Sequence, residues 1–231
     1  MTETRPAPIA LPALSARPRL GFDLDMTLLD MRTATARALR GVNATLGTAV
    51  DVDAVIADLG APFRAQLGRW IDDDRLDLAL RTFLKIFVTE CLPLVVPLPG
   101  AGELLAAVRR RDGWIVVITG RRARVARACL RRCELNVDAV VGGVTGTAKT
   151  PAIIGHRVDA FVGDHPLDML AARTAGVPGI AVPAAPHLAP ALREAGATAV
   201  VSSLDELARW LSQDNAQPLQ SENPKPKDQF S

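Results

Sequence analysis

Several residue types are scarce in this chain of 231 residues, and each scarcity removes a class of protein. Only three cysteines are present, and an odd count without a recognisable secretion signal argues against a disulfide-stabilised secreted domain. No apolar run approaches the roughly 20 residues that a membrane-spanning helix needs. We therefore expect a cytoplasmic protein with free thiols and no membrane partner.

The residues that are present are typical of a globular domain with a substantial core. Hydrophobic residues make up 48% of the chain, and the formal net charge of +2 indicates no strongly charged partner. Residues 109–132 contain nine arginines but one aromatic residue, Trp114, so stacking on nucleic-acid bases has no support. We predict a solvated basic helix face there and expect no nucleic-acid partner.

Between two predicted disordered tails, residues 1–18 and 214–231, short apolar segments alternate with helical patterns. The apolar segments are rich in valine and isoleucine, as in strands that are covered on both faces. This alternation predicts an α/β fold with a Rossmann-like parallel sheet as its core. The predicted strands are Leu20–Leu24, Trp114–Thr119, Ala139–Val141, Ala160–Val162, Gly179–Val182 and Ala199–Val201.

Residues 33–96 interrupt the alternation with helical patterns and no convincing strand. We predict that this segment is a helical cap inserted into a core formed by residues 19–32 and 97–213. One long amphipathic pattern covers residues 72–92, and its apolar side could cover a site or form a dimer face, so monomer and homodimer both stay open. That side consists of Leu76, Leu80, Phe83, Leu84, Phe87 and Cys91.

Two acids, Asp23 and Asp25, end the first predicted strand. Alternate residues of a strand point to the same side, so the two carboxylates share one side. Burying an unpaired carboxylate costs several kcal/mol, and a neighbouring like charge adds to the cost unless a proton or cation separates them. A divalent cation with oxygen ligands would relieve the repulsion at this edge, where open α/β sheets bind ligands. The alternative is a solvated turn.

Further polar residues fall where later predicted strands end. Thr119 and Gly120 offer a hydroxyl and an exposed backbone amide, which suit phosphate oxygens. Lys149 is one of only four lysines in the chain. Asp164 follows another strand, and Asp168 lies one helical turn later on the same face. Each residue alone has an ordinary explanation as a turn, a surface lysine or a helix cap, but their common placement predicts one site.

In order along the chain, four elements resemble the motifs of the haloacid dehalogenase (HAD) superfamily: "FDLDMTLLD", "VVITG", Lys149 and "FVGDHPLDMLAARTAGVPGIAV". The resemblance covers residues 19–213 and is to phosphoglycolate-phosphatase-like members with a helical cap. It implies a HAD-like core and a Mg²⁺-dependent phosphatase acting on a small phosphorylated metabolite. The reaction would be hydrolysis of a phosphate monoester through an aspartyl-phosphate.

The resemblance also implies catalytic and metal-binding roles. Asp23 would be the nucleophile that attacks phosphorus. Asp25 would protonate the leaving group and then deprotonate the attacking water. Mg²⁺ would be held by Asp23, Asp164 and the main-chain carbonyl of Asp25. Lys149 would also be catalytic, because its charge neutralises part of the charge on the phosphoryl group.

The remaining residues would position these groups. Thr119, the Gly120 amide and Lys149 would hold the phosphoryl oxygens. Asp168 would orient Lys149 or a water on the metal, and Thr27 would brace the loop around the nucleophile.

The chain departs from the family pattern at three positions. Met26 stands where glycine is frequent, so we expect a backbone there that avoids the glycine-only conformation. Gly120 replaces a frequent asparagine, which removes a polar side chain from the phosphate site. Thr150 separates Lys149 from Pro151, where a direct Lys-Pro is common, and the fifteen positions from Lys149 to Asp164 leave room for only one short helix.

Other functions stay open at this point. A phosphomutase would keep Asp25 and the same metal site, whereas dehalogenases of the superfamily typically lack the second acid. A non-catalytic phosphate-binding or regulatory protein, such as a receiver domain, also combines acids, a threonine and a lysine. Its phosphoacceptor should end the third strand, and "AVVGGVTGTAK" has no acid there.

Overall fold

The structure, a computed structural model, describes residues 11–213. The predicted tail 214–231 and the first ten residues of the predicted tail 1–18 lie outside the described residues, and residues 11–18 form no helix or strand. The strands in chain order are β1 Arg19–Phe22, β2 Leu29–Asp30, β3 Val96–Pro97, β4 Trp114–Thr119, β5 Ala139–Gly142, β6 Ala160–Gly163, β7 Gly179–Ala181 and β8 Ala199–Val200.

Six strands pair in parallel into one sheet with the order β5-β4-β1-β6-β7-β8. The predicted α/β fold with a parallel sheet is thereby confirmed. The chain adds β4 and β5 on one side of β1 and then β6 to β8 on the other side. The strand order therefore reverses at β1, and the crevice at such a switch point is where open α/β sheets bind ligands. β1 ends at Phe22, earlier than predicted, because the backbone amides of Leu28 and Leu29 both bond to the Leu24 carbonyl and turn the chain away.

Helices cover both faces of the sheet, as the two buried clusters on β4 show. Ile115 and Val117 belong to one cluster, and the alternate residues Val116 and Ile118 belong to the other. The helices are α1 Arg32–Leu46, α2 Val52–Ala57, α3 Phe63–Leu67, α4 Asp73–Ile86, α5 Ala101–Arg110, α6 Ala123–Arg132, α7 Thr150–Gly155, α8 Pro166–Ala175, α9 Ala189–Glu194 and α10 Leu204–Ser212.

Helices α1 to α4 lie between β2 and β3, and we refer to residues 32–94 as the cap. The antiparallel pair β2–β3 connects it to the sheet. The sequence did not predict β2, β3, α2 or α3. Strands β2 and β3 pair only with each other across the inserted helices, a contact between distant residues that no local period encodes. Helix α4 continues into the π-helical turn Phe87–Cys91. The division into core and cap domains stays a prediction.

Two further properties of the described residues agree with the composition. All three cysteines are free, and two of them, Cys91 and Cys129, are buried. Among residues 11–213, no helix has both the length and the apolarity to cross a membrane.

We predict that Gly142→Ala lowers the free energy of unfolding by about 1–3 kcal/mol, as overpacking of a tight site does. A Cβ at Gly142 would lie 2.2 Å from the Ala123 backbone nitrogen, which cannot rotate away. The matched control is Gly102→Ala, whose Cβ would meet nothing within 4 Å. Urea unfolding should show the control to be as stable as the unaltered protein or up to about 1 kcal/mol more stable, because alanine is the better helix residue. Equal stability of the two variants would contradict the close approach of α6 to β5.

Candidate active site

The predicted site residues converge at the carboxyl end of the sheet. Asp23 directly follows β1, Thr119 is the last residue of β4, and Asp164 directly follows β6. Lys149 ends a 3-10 turn, Gly146–Lys149, in the connection after β5. Because neighbouring parallel strands end at the same edge, residues far apart in sequence become neighbours here.

Lys149 reaches the site and bridges two acids. Its Nζ donates to Asp23 Oδ1 and to Asp168 Oδ1, each at 2.6 Å, and its side chain is only 5% exposed. The ammonium also lies 5.6 Å from the centroid of the Phe161 ring. The inserted Thr150 therefore does not keep Lys149 away from the site, and one ammonium is shared between two carboxylates.

Three carboxylates share this buried space, and burial disfavours the charge of two of them, Asp23 and Asp164. One oxygen each of Asp23, Asp164 and Asp168 lies within 4.8 Å of the others. Burial raises the pKa of Asp23 to about 7, although Lys149 acts in the opposite direction. Burial, followed by the charges of Asp23 and Asp168, holds the pKa of Asp164 well above its ordinary value, although the Thr27 hydroxyl donates to its Oδ1 at 2.7 Å.

Asp25 has a cationic partner that the sequence did not indicate. The Nε of Arg121 donates to Asp25 Oδ1 at 2.7 Å, and the guanidinium lies 4.4 Å from the centroid of the Phe87 ring in the cap. Burial acts to lower the pKa of Arg121, but Asp25 raises it overall. The prediction of a solvated basic face is thus wrong at Arg121, because this residue lies under the cap beside Thr119 and not on the exposed side of α6.

The charges at the site are unbalanced when all groups are ionised. Four carboxylates, counting Asp25, face two cations, Lys149 and Arg121, so two negative charges lack a partner among them. Three buried carboxylates with converging oxygens are the kind of donor set that a hard divalent cation takes. The residues present therefore fit a divalent metal by both charge and ligand type.

The backbone at Met26 contradicts our expectation. Met26 has φ +62°, a left-handed conformation, although it is not glycine. Its backbone amide donates to the Leu29 carbonyl at 2.8 Å, and its side chain is buried, so packing and hydrogen bonding hold the strained residue in place. Such strain is usually retained at functional sites. The turn brings Thr27 to Asp164.

Gly120 and Gly163 leave room for neighbouring side chains. A Cβ at Gly120 would lie 2.6 Å from the Thr145 methyl, so the space that the frequent asparagine would need is filled. A Cβ at Gly163 would lie 2.6 Å from Asp168, so glycine lets the first turn of α8 approach β6. Thr119 accepts from the Arg121 backbone amide at 3.2 Å.

A cavity of about 290 Å³ connects these residues to the cap. Its core side includes all the predicted catalytic and phosphate-binding residues, together with Arg121. Leu80, Phe83 and Leu84 of α4 line its cap side. The apolar stripe of the cap thus covers a site, and the oligomeric state stays a prediction.

We predict that Lys149→Met costs about 3–5 kcal/mol of unfolding free energy, because removing one partner leaves buried charges uncompensated. The matched control is Lys85→Met, because Lys85 is exposed on α4 and makes no ion pair with the described residues. Urea unfolding in metal-free buffer measures both, with the control expected within about 0.5 kcal/mol of the unaltered protein. A Lys149→Met variant as stable as the control would contradict the shared ion pair.

Two curated proteins of known name are similar to this chain. It is 27% identical to the phosphoglycolate phosphatase of Caulobacter vibrioides over 71% of this chain and 78% of that protein. It is also 27% identical to the "Probable phosphatase IndB" of Dickeya dadantii, over 83% and 92% of the two chains.

The solved structures and the family comparison agree on the fold. A haloacid dehalogenase-like hydrolase from Streptococcus pneumoniae has a TM-score of 0.74 at 17% identity and covers 84% of this chain and 98% of its own. Residues 21–182 match the family described as haloacid dehalogenase-like hydrolase. The family prediction from the motifs is therefore confirmed: this chain belongs to the haloacid dehalogenase-like hydrolases.

Proposed function

We propose that this protein is a Mg²⁺-dependent phosphatase that hydrolyses a small phosphate monoester through an aspartyl-phosphate at Asp23. One observation carries the proposal: Asp23 and Asp25 both line the same cavity, and Asp23 is oriented by Lys149 at 2.6 Å. A nucleophile and an acid–base group on one cavity are what the two-step reaction needs. The names of the two curated relatives, both phosphatases, support the same reaction.

In the first step, a carboxylate oxygen of Asp23 attacks phosphorus, and the bond from phosphorus to the alcohol oxygen breaks. Asp25 donates a proton to the departing alcohol. The Thr119 hydroxyl, the Gly120 amide and Lys149 hold the phosphoryl oxygens, and the ammonium neutralises part of their charge. Asp168 positions that ammonium through its 2.6 Å hydrogen bond.

In the second step, Asp25 accepts a proton from the water that attacks phosphorus, and phosphate leaves from regenerated Asp23. The ionised Asp25 that Arg121 binds is the form that accepts this proton. For the first step Asp25 must carry the proton, and a bound phosphoryl dianion offers Arg121 a competing partner. Binding of the substrate to Arg121 would thereby release Asp25 from its ion pair.

The metal would be held by the carboxylates of Asp23 and Asp164 and the main-chain carbonyl of Asp25. When bound, Mg²⁺ supplies charge neutralisation of the phosphoryl oxygens and of the carboxylates around it. Thr27 keeps Asp164 in place through its hydrogen bond of 2.7 Å.

We expect Mg²⁺ to stabilise the protein, since it balances buried carboxylates in the folded state only. At about 100 times its dissociation constant, the added stability is about 2.7 kcal/mol. Thermal unfolding with Mg²⁺, against sodium at equal ionic strength, measures the effect. Asp164→Asn should lose it, and Asp72→Asn should keep it, because Asp72 is exposed on the cap and makes no side-chain cap bond. An unchanged response in Asp164→Asn would place the metal elsewhere.

The reaction is tested with Mg²⁺ on a panel of phosphate monoesters that includes p-nitrophenyl phosphate. Asp23→Asn should reduce turnover to the rate without protein, and Asp72→Asn should not change it. Asp25→Asn should lower kcat/KM for alkyl phosphates by about 10²–10⁴-fold, and less for p-nitrophenyl phosphate, whose leaving group departs without a proton.

Three results would contradict the proposed reaction. Turnover in Asp23→Asn would remove this residue from its role. An isomerised sugar phosphate in place of free phosphate would identify a mutase. Long-lived phosphorylation of Asp23 without turnover would identify a regulatory protein.

A further inference from the structure

The two sides of the cavity differ in chemistry. The core side carries the charged groups, and the cap side is nearly all apolar. Among the described residues that line the cavity, the cap contributes no charged side chain. Six apolar side chains make up most of the cap side: Leu59, Ala61, Phe63, Leu80, Phe83 and Leu84.

Two side chains of the cap wall are polar, Thr35 and Gln66. The Thr35 hydroxyl lies 3.5 Å from Nη2 of Arg121. The Gln66 side-chain nitrogen donates to the Asp58 carbonyl, and its oxygen, which has no hydrogen-bond partner among the described residues, is shielded from solvent. A substrate hydroxyl placed against the six apolar side chains would give up water without gaining a partner, which costs about 1–3 kcal/mol.

The apolar wall is also held in place. Phe63 and Phe83 pack with ring centroids 4.6 Å apart, and Phe87 follows at 5.8 Å from Phe83. Phe87 in turn packs against the Arg121 guanidinium that binds Asp25. The wall therefore ends beside Asp25, the group that would protonate the leaving alcohol. In the proposed reaction the alcohol would lie against this wall.

We propose that the alcohol part of the substrate is a compact apolar group, aliphatic or aromatic, and not a sugar or polyol. This inference rests on the proposed phosphatase function, in which the core side binds the phosphoryl group. The volume of about 290 Å³ is at the small end of ligand pockets, which span roughly 300–1,000 Å³, so the alcohol is small. An apolar alcohol covers the leucine and phenylalanine side chains and leaves no hydroxyl unpaired.

The test is calorimetric binding of alkylphosphonates, from ethyl to hexyl, to the full chain with Mg²⁺. These probes cannot be hydrolysed, so binding is measured apart from turnover. The dissociation constant should fall about fourfold per added methylene until the cavity is full. This factor follows from about 0.8 kcal/mol per buried methylene, since about 1.36 kcal/mol corresponds to a tenfold change. Propylphosphonate should bind at least about tenfold tighter than 2,3-dihydroxypropylphosphonate, because two hydroxyls stay unpaired.

Two variants on α4 assign the effect to the wall. Leu80→Asn should flatten the alkyl series, and Leu78→Asn should not, because Leu78 is 45% exposed and does not line the cavity. Inorganic phosphate should bind equally well to both variants. A flat series in the unaltered protein, tighter binding of the dihydroxypropyl probe, or an equal effect of the two variants would overturn the inference. Absence of turnover on every ester with the alkyl series intact would instead overturn the proposed reaction.

Discussion

The site depends on one buried ammonium. Lys149 is shared between Asp23 and Asp168, and it lies where the ends of β1, β4 and β6 converge. Without it, the carboxylates after β1 and β6 would repel one another in a space that water hardly reaches. The pKa of Asp23, raised to about 7 mainly by burial, indicates that one lysine does not fully balance this cluster. The same imbalance makes the cluster suited to a divalent cation.

A second cation connects the chemistry to the cap. Arg121 follows the end of β4 in the chain, donates to Asp25 and packs on the ring of Phe87. The cap is therefore more than a cover, because its π-helical turn supports the partner of Asp25, the proposed acid–base residue. One face of α4 and of the π-helical turn that continues it serves both purposes, since Phe87 supports Arg121 while Leu80 and Leu84 line the cavity. In the proposed reaction, the charged core side would bind the phosphoryl end of the substrate and the apolar cap side its alcohol end.

Most of the core and its acids could be predicted from sequence, and most of the cap could not. The strands have strong apolar runs, and residues at strand ends such as Asp23 and Asp164 must meet at one edge of a parallel sheet. Arg121 was missed because it is one of nine arginines in a segment whose other members are mostly exposed. Its signal was its position just after Thr119. The short α3 and the left-handed Met26 depend on tertiary packing, which local periodicity does not encode.

The most direct measurement is a crystal structure of the protein with Mg²⁺ and beryllium fluoride, which mimics a phosphoryl group on a carboxylate. We predict beryllium bonded to a carboxylate oxygen of Asp23, its fluorides within hydrogen-bonding distance of Thr119 and Lys149, and the metal between Asp23 and Asp164. Beryllium fluoride on another residue, or a metal bound away from Asp164, would contradict this prediction.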